Sequence, residues 1–279
     1  MSNALVFQSD FGLSDGAVSA MYGVAHSVNS EIPIFDLTHD IPPFDIWAAS
    51  YRLLQTVSYW PKYTVFVSVV DPGVGSDRKS VVVRTVTDQY IVTPDNGSLS
   101  HINHKIGLKD VRVIDENINR LPKSGASHTF HGRDIYAYTG ARLAANVISF
   151  EQVGPELPLD SIESLPFMEA YYEGGIVTGM IDILDVRFGN LWTNISRQLF
   201  LKLGVDYGDK IEVMIQHDSR DVYKSMMVYG RSFADIAVSK PLVYVNSLDN
   251  IAVAINQGSF AKIHNIGTGS NWKILVRKA

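Results

Sequence analysis

Tyr63-Thr64-Val65-Phe66-Val67-Ser68-Val69-Val70 runs straight into Asp71-Pro72-Gly73-Val74-Gly75, and this stretch decides the fold. A continuous apolar, β-branched run reads as a strand buried on both faces. Proline and glycine then end it abruptly. Such a strand needs helices on either side of its sheet, and the flanking sequence supplies them. Upstream, Ala4–Gln8 reads as a buried strand, Asp15–Val28 as a helix, Pro33–Leu37 as a short strand and Trp47–Trp60 as a second helix. Downstream, Ser80–Val86 and Gln89–Thr93 read as strands and Ile135–Val147 as a helix. The alternation predicts an α/β domain with a largely parallel sheet over residues 1–160.

The character changes near residue 155, where Pro155, Pro158 and Pro166 punctuate a linker-like stretch. Beyond it come short strands at Gly174–Leu184, Asp209–Ile215, Leu242–Asn246, Ile251–Asn256 and Trp272–Val276, separated by turn residues. They predict a smaller all-β, barrel-like domain over residues 170–279. The 279 residues are 46% hydrophobic and 19% charged, ordinary globular values, and no repeat is present. A net charge of −5 leaves no basic surplus for a phosphate backbone, so no nucleic-acid partner is expected. The absence of cysteine removes disulfides, thiolate metal sites and thiol nucleophiles together. No apolar run approaches a membrane span, and Met1–Phe7 lacks the pattern of a signal peptide. A cytoplasmic protein is the default expectation.

In open α/β sheets, ligands bind beyond the carboxyl ends of the strands. Asp10, Asp40, Asp71 and Asp95 each follow a predicted strand. Singly, each is as well explained as a turn-forming or helix-capping residue. Together they point to a polar cleft, and a carboxylate suits a ribose diol because it accepts two hydroxyl hydrogen bonds. Arg78 can fold back toward Asp71 across the glycine-containing loop; the plain alternative is a surface ion pair of little energetic weight. His131 stands in Phe130-His131-Gly132-Arg133-Asp134, before a helix, where a residue titrating near neutrality could serve as base or water positioner. The pairs His101/His104 and His128/His131 have a metal-compatible spacing but no metal-binding motif around them, so no metal site is expected. No phosphate-binding loop, nucleophile elbow or dinucleotide fingerprint is present. In the second domain, Asp185-Val186-Arg187-Phe188-Gly189-Asn190-Leu191-Trp192-Thr193-Asn194 is either a packed turn or a platform for a flat heterocycle.

These segments occur in the order Ser9-Asp10-Phe11-Gly12, Pro42-Pro43-Phe44-Asp45, Val70–Gly75, Pro94-Asp95-Asn96-Gly97, Thr129–Asp134 and Phe188–Asn194. In that order, essentially end to end, the chain resembles the S-adenosylmethionine hydroxide adenosyltransferases, water-using relatives of the fluorinase and chlorinase enzymes. The resemblance implies conversion of S-adenosylmethionine and water to adenosine and methionine, with no cofactor. It implies a homotrimer with sites at subunit interfaces. The family's catalytic Asp, Arg and His fall on Asp71, Arg78 and His131, and its ribose-binding acid falls on Asp10. Phe44 falls where an aromatic packs on the ribose, and Phe188 where a ring stacks on adenine. Asp185 and Asn190 fall where the methionine end is gripped; Asn246, Ser247 and Gln257 fall among the adenine contacts.

The halogenating relatives replace the triad, and fluorinase carries an extra loop. This chain keeps the triad and shows no obvious insertion between Asp71 and His131, which favours hydroxide over halide. A chlorinase-like halide transferase, a non-catalytic adenosine or S-adenosylmethionine binder and a metal-dependent hydrolase are the alternatives. The mechanistic expectation is that Arg78 and His131 hold the water while Asp71 fixes Arg78. Whether His131 takes the proton or the site binds hydroxide directly stays open at this level.

Overall fold

The structure is a computed structural model that describes residues 2–126 and 128–279. It divides into two compact units, one ending at Leu165 and the other beginning at Pro166. Among the described residues, no helix is long and apolar enough to cross a membrane.

In the first unit, the chain forms β1 (Leu5–Ser9), α1 (Ala17–Val28), β2 (Ile34–Thr38), α2 (Ile46–Val57), β3 (Val65–Val69), β4 (Ser80–Thr85), β5 (Tyr90–Pro94), α3 (Ser100–Lys105), β6 (Leu108–Val113), α4 (Glu116–Asn119) and α5 (Tyr138–Ala144). The sheet order is β2-β1-β3-β5-β4-β6. The pairs β1–β2, β1–β3 and β3–β5 are parallel, while β4 runs antiparallel to both β5 and β6. The sheet is therefore mixed, with parallel strands on the side that carries the candidate cleft. Hydrophobic runs do not encode strand direction, and the short β4–β5 connection permits only a hairpin.

Strand alternation splits the core in two. Leu5, Phe7, Val65, Val67 and Val69 pack with Met21 and Ala25 of α1 and Ala141 of α5 on one face. Val6, Phe66, Val81 and Ile91 pack with Leu53 and Val57 of α2 on the other. Both faces are buried, which is why β3 reads as an uninterrupted apolar run. Asp45 caps α2 by accepting Ala48 N–H at 2.9 Å, so the acid in Pro42-Pro43-Phe44-Asp45 is a helix cap.

The helix expected from Ile135 begins earlier. Gly132–Ala137 form a wide π-helical turn that passes into α5. A 3.6-residue apolar period cannot reveal such a turn, and π turns often mark functional positions. Helix α5 lies close on the sheet at Gly140, where an added Cβ would fall 2.5 Å from Val67 Cγ2. Gly140→Val is expected to lower the unfolding free energy by about 1–3 kcal/mol through overpacking. Urea denaturation checks this; a midpoint equal to that of the parent protein would contradict the close approach.

The second unit contains β7 (Tyr171–Glu173), β8 (Ile176–Leu184), β9 (Leu191–Ser196), α6 (Arg197–Phe200), β10 (Lys210–His217), β11 (Arg220–Tyr229), β12 (Pro241–Val245), β13 (Asn250–Ile255), α7 (Phe260–His264) and β14 (Trp272–Lys278). Its strands run β14-β10-β11-β12-β13-β9-β8, and a β14–β8 pairing closes this seven-strand barrel. Strand β7 is added on the outside of β8. Every pairing is antiparallel except β11–β12. Val177, Ile181, Ile195, Ile211, Val253 and Ile274 fill the interior. Closure removes free sheet edges, which a small all-β unit otherwise exposes.

Candidate active site

Strands β1, β2, β3 and β5 point the same way, so Asp10, Asp40, Asp71 and Asp95 do lie beyond one edge of the sheet. Only two of them enter the hollow found there. It has a volume of about 260 Å³ and is lined by Asp10, Asp71 and His131, with Phe11, Phe44 and Phe130 among its walls. Asp40 is exposed, away from this hollow. Asp95 is 6% exposed, and its Oδ1 accepts Glu163 N–H at 2.9 Å. Burial raises its pKa above the ordinary carboxylate range. It is a structural acid.

Arg78 is the hub. Its Nε donates to Asp71 Oδ1 at 2.7 Å, and its Nη2 donates to Asp71 Oδ2, completing a bidentate pair. The same Nη2 lies 3.2 Å from His131 Nδ1. The Arg78 and Asp71 side chains are only 10% and 5% exposed, so this is a buried pair rather than the surface pair allowed by the sequence. Burial is the largest single influence and works against the guanidinium charge, but the Asp71 hydrogen bond together with the negative charges of Asp71 and Glu116 and the Tyr136 phenol outweighs it, and the Arg78 pKa moves up.

The arrangement differs from the expected one in order. Asp71 and His131 line the hollow, while Arg78 spans behind them and grips both. Two residues with no motif signal brace it. Ser80 Oγ accepts from Arg78 Nη1 at 3.1 Å and also lies 3.1 Å from the hydroxyl of Tyr136. The guanidinium carbon sits 5.7 Å from the Tyr136 ring centroid, at cation–π distance. Tyr136 is fully buried, and burial pushes its phenol pKa up.

An arginine has only donors, so its contact with Nδ1 makes that nitrogen an acceptor. A neutral His131 then carries its hydrogen on Nε2. This nitrogen is shielded from solvent and has no hydrogen-bond partner among the described residues. An unpaired buried donor is costly, and where it persists it points to a ligand. Asp10 supplies a second fixed polar group. Its Oδ2 accepts Phe44 N–H at 2.9 Å, and Phe44 is held at a left-handed φ of 67° and is 70% exposed. A strained non-glycine backbone of this kind gathers at ligand sites. Phe11 and Phe130 meet edge to face at 5.8 Å between centroids.

The second unit has its own hollow of about 640 Å³. Asp185, Phe188, Asn190 and Gln257 line it, as do Phe233 and Tyr244, which sequence reasoning missed. Asp185 Oδ1 accepts Arg187 N–H at 3.1 Å, forming the turn that presents Phe188, which is 67% exposed. At Gly189, φ is 68° and an added Cβ would fall 1.9 Å from Ser259 Oγ, so only glycine fits between this loop and the α7 start. Phe233 packs against Tyr244 with ring centroids 5.1 Å apart, and the Tyr244 hydroxyl accepts Trp192 Nε1–H at 3.3 Å. Asn246 and Ser247 do not line this hollow. The β12–β13 register pairs Pro241 with Ile255 and Val245 with Ile251, which places Asn246 and Ser247 at the opposite end of the hairpin from Gln257. Asn246 Oδ1 instead accepts Leu248 N–H at 2.9 Å and closes the hairpin turn.

Among the described residues, no group of three or more His, Asp or Glu side chains is gathered so as to hold a metal ion. The His128 and His131 rings stand edge to face, 6.3 Å apart.

A mixed α/β unit whose Asp71, Arg78 and His131 gather at an aromatic-walled hollow, followed by a closed barrel with an aromatic-lined hollow of its own, is the architecture of a two-domain enzyme. This chain belongs to the SAM hydroxide adenosyltransferase family: its N-terminal domain matches residues 5–154 and its C-terminal domain residues 179–273. A relative named (R)-S-adenosyl-L-methionine hydrolase from Methanocaldococcus jannaschii is 34% identical, over 76% of this chain and 73% of its own. One of the same name from Salinispora tropica is 32% identical over 96% of each chain. A fluorinase from Actinopolyspora mzabensis is 25% identical over 97% of this chain and 96% of its own. The crystal structure of an uncharacterized conserved protein from Thermotoga maritima superposes with a TM-score of 0.88 at 33% identity, covering 98% of this chain and 100% of that one.

His131 titrates below the ordinary histidine value. Burial is the largest cause; Glu116 and Asp71 favour the proton, while Arg78 and Arg120 oppose it. Above about pH 6.5 the ring is neutral folded and unfolded, and it contributes no pH dependence. As pH falls below that value, the unfolded chain takes up a proton that the folded site resists, so stability declines until the folded ring also protonates. NMR titration of His131 should place its midpoint below that of an exposed histidine, and His131→Gln should flatten this part of the stability profile. A midpoint at or above the ordinary value would contradict the buried, Arg78-bound ring.

Proposed function

We propose that the chain cleaves S-adenosylmethionine at the bond between C5′ and the sulfonium sulfur, using hydroxide or water, and releases adenosine and L-methionine. The carrying observation is the Asp71–Arg78–His131 assembly, which leaves a buried His131 Nε2 without a partner among the described residues at a nucleoside-compatible hollow. The (R)-S-adenosyl-L-methionine hydrolases from M. jannaschii and S. tropica support the same reading.

The substrate sulfonium is cationic and its methionine thioether leaves readily. An oxygen nucleophile attacking C5′ in line brings negative charge toward positive charge, so charge is neutralised as the C–O bond forms and the C–S bond breaks. Water solvates both charges beforehand, so an apolar-walled site favours the step. Arg78 fixes the hydrogen of neutral His131 on Nε2. That makes His131 a donor to the oxygen rather than a base. A donor holds hydroxide well, and hydroxide needs no further proton acceptor. Asp71 and Arg78 set the ring and its tautomer, and positioning of this kind can supply several kcal/mol. Asp10 takes the ribose diol, since its carboxylate retains accepting capacity beside the Phe44 N–H. Phe44 packs on the sugar. Phe188, with Phe233 or Tyr244, stacks on adenine; Gln257 reads its edge, and Asp185 and Asn190 grip the methionine end.

Incubation of the protein with S-adenosylmethionine in ¹⁸O-labelled water should give adenosine labelled at the 5′ oxygen, together with unlabelled methionine. Chloride added at high concentration should not divert the product to chlorinated adenosine. Labelled methionine, or no turnover alongside tight adenosine binding, would overturn the reading.

We also propose a cytoplasmic homotrimer in which the triad hollow of one subunit and the barrel hollow of its neighbour hold one substrate, as the family resemblance implies. Head-to-tail contacts of this kind close into rings. Asp71→Asn and Phe188→Ala should each reduce turnover sharply. Co-expressed, they should regain activity, because about a quarter of randomly assembled interface sites draw both halves from unmutated units. If each site lies within one chain, the mixture stays as weak as its parts.

A further inference from the structure

Ser9 and His39 are buried polar residues that the proposed mechanism does not use. Ser9, the last residue of β1, is fully buried, and His39, just after β2, is 4% exposed. Ser9 Oγ lies 2.6 Å from His39 Nδ1, and His39 Nε2 lies 3.0 Å from Asp36 Oδ1. The Tyr22 hydroxyl also donates to Asp36 Oδ1, and Phe11 N–H donates to Ser9 Oγ at 3.3 Å. The carboxylate fixes the direction of the whole chain. Nε2–H donates to Asp36, so Nδ1 accepts from the Ser9 hydroxyl, whose oxygen accepts Phe11 N–H. The connectivity is that of a serine hydrolase triad, but a Ser9 with no exposed surface cannot attack a substrate. What it holds is the loop that carries Asp10.

That loop has no regular structure to fix it. Three ties bind Ser9–Gly12 to residues 39–44: Ser9 to the His39 ring, Gly12 N–H to His39 O at 2.8 Å, and the Asp10 carboxylate to Phe44 N–H at 2.9 Å. We infer that Asp36, His39 and Ser9 form a relay that aims the Asp10 carboxylate, with His39 a positioning residue for the reaction. The inference rests on the proposed reading of Asp10 as the ribose ligand. Residues of one hydrogen-bonded network couple, whereas a merely structural loss adds independently.

The test is a double-mutant cycle read as adenosine affinity by calorimetry and as kcat. Asp36→Asn changes a side chain 44% exposed on an edge strand, so it spares the fold, and Ser9→Ala removes the inner link. Asp36→Asn should weaken adenosine binding about three- to tenfold and Ser9→Ala at least as much, with kcat at saturating substrate changed less than about twofold. In an Asp10→Ala background, neither should weaken binding further. Additive losses, or unchanged affinity in both single variants while Asp10→Ala binds poorly, would overturn the relay alone. Unchanged affinity in Asp10→Ala would overturn the ribose assignment and the relay with it.

Discussion

The buried guanidinium of Arg78 is the constraint on which the first unit's site depends. A charge held at 10% side-chain exposure must be paired, and Asp71 pairs it through both oxygens. Its remaining donors reach Ser80 and His131. One planar group thereby joins a loop at the end of β3, the first residue of β4 and the start of the helix that leads into α5. Lysine could supply the charge but not this geometry, because a point charge does not bind a carboxylate and two further acceptors in fixed directions. The fold does the rest. Strand β3 ends at the sheet edge and delivers Asp71, the Asp71–Arg78 loop folds back, and the π-helical turn beginning at Gly132 widens the helix behind His131.

A histidine beside an arginine behaves differently from one beside a carboxylate. The carboxylate of a serine-hydrolase triad leaves the ring's other nitrogen ready to take a proton. Arg78 reverses this, leaving a donor, and burial favours the neutral ring. The arrangement suits a reaction whose leaving group departs as a neutral thioether and needs no proton from an acid. It also suits an anionic oxygen, which a hydrogen-bond donor steadies before attack.

Much of this was legible in the sequence, for stateable reasons. The β-branched run Tyr63–Val70 carries the signature of a doubly covered strand, and Asp71 and Arg78 are close enough in sequence for the loop to bring them together. His131 lies 53 residues from Arg78, so its place rested on family resemblance rather than spacing. Strand direction was not encoded, and β4 turned out antiparallel. Strand β11 escaped notice because charged, solvent-facing residues dominate its first half. Ser80, Tyr136 and Phe233 carry no motif; they matter through contacts that only the folded chain creates. Asp95 shows the opposite failure. Its position after a strand resembled that of Asp71, but a backbone amide had already claimed it.

Burial alone does not separate working residues from scaffolding. His39 and His131 are almost equally hidden, at 4% and 6% exposure. They differ in how their hydrogen bonds close. At His39 both ring nitrogens are taken, one by Ser9 and one by Asp36. A closed network of that kind transmits orientation and binds nothing new. At His131 one nitrogen is taken by Arg78 and the other is left open. Leaving it open costs stability on the order of 1–3 kcal/mol, which apolar packing elsewhere in the first unit must offset. The folded chain tolerates that loss at a hollow beside Asp71, where an oxygen nucleophile would recover it. The open valence, more than the burial or the identity of the residue, is what distinguishes His131 from His39.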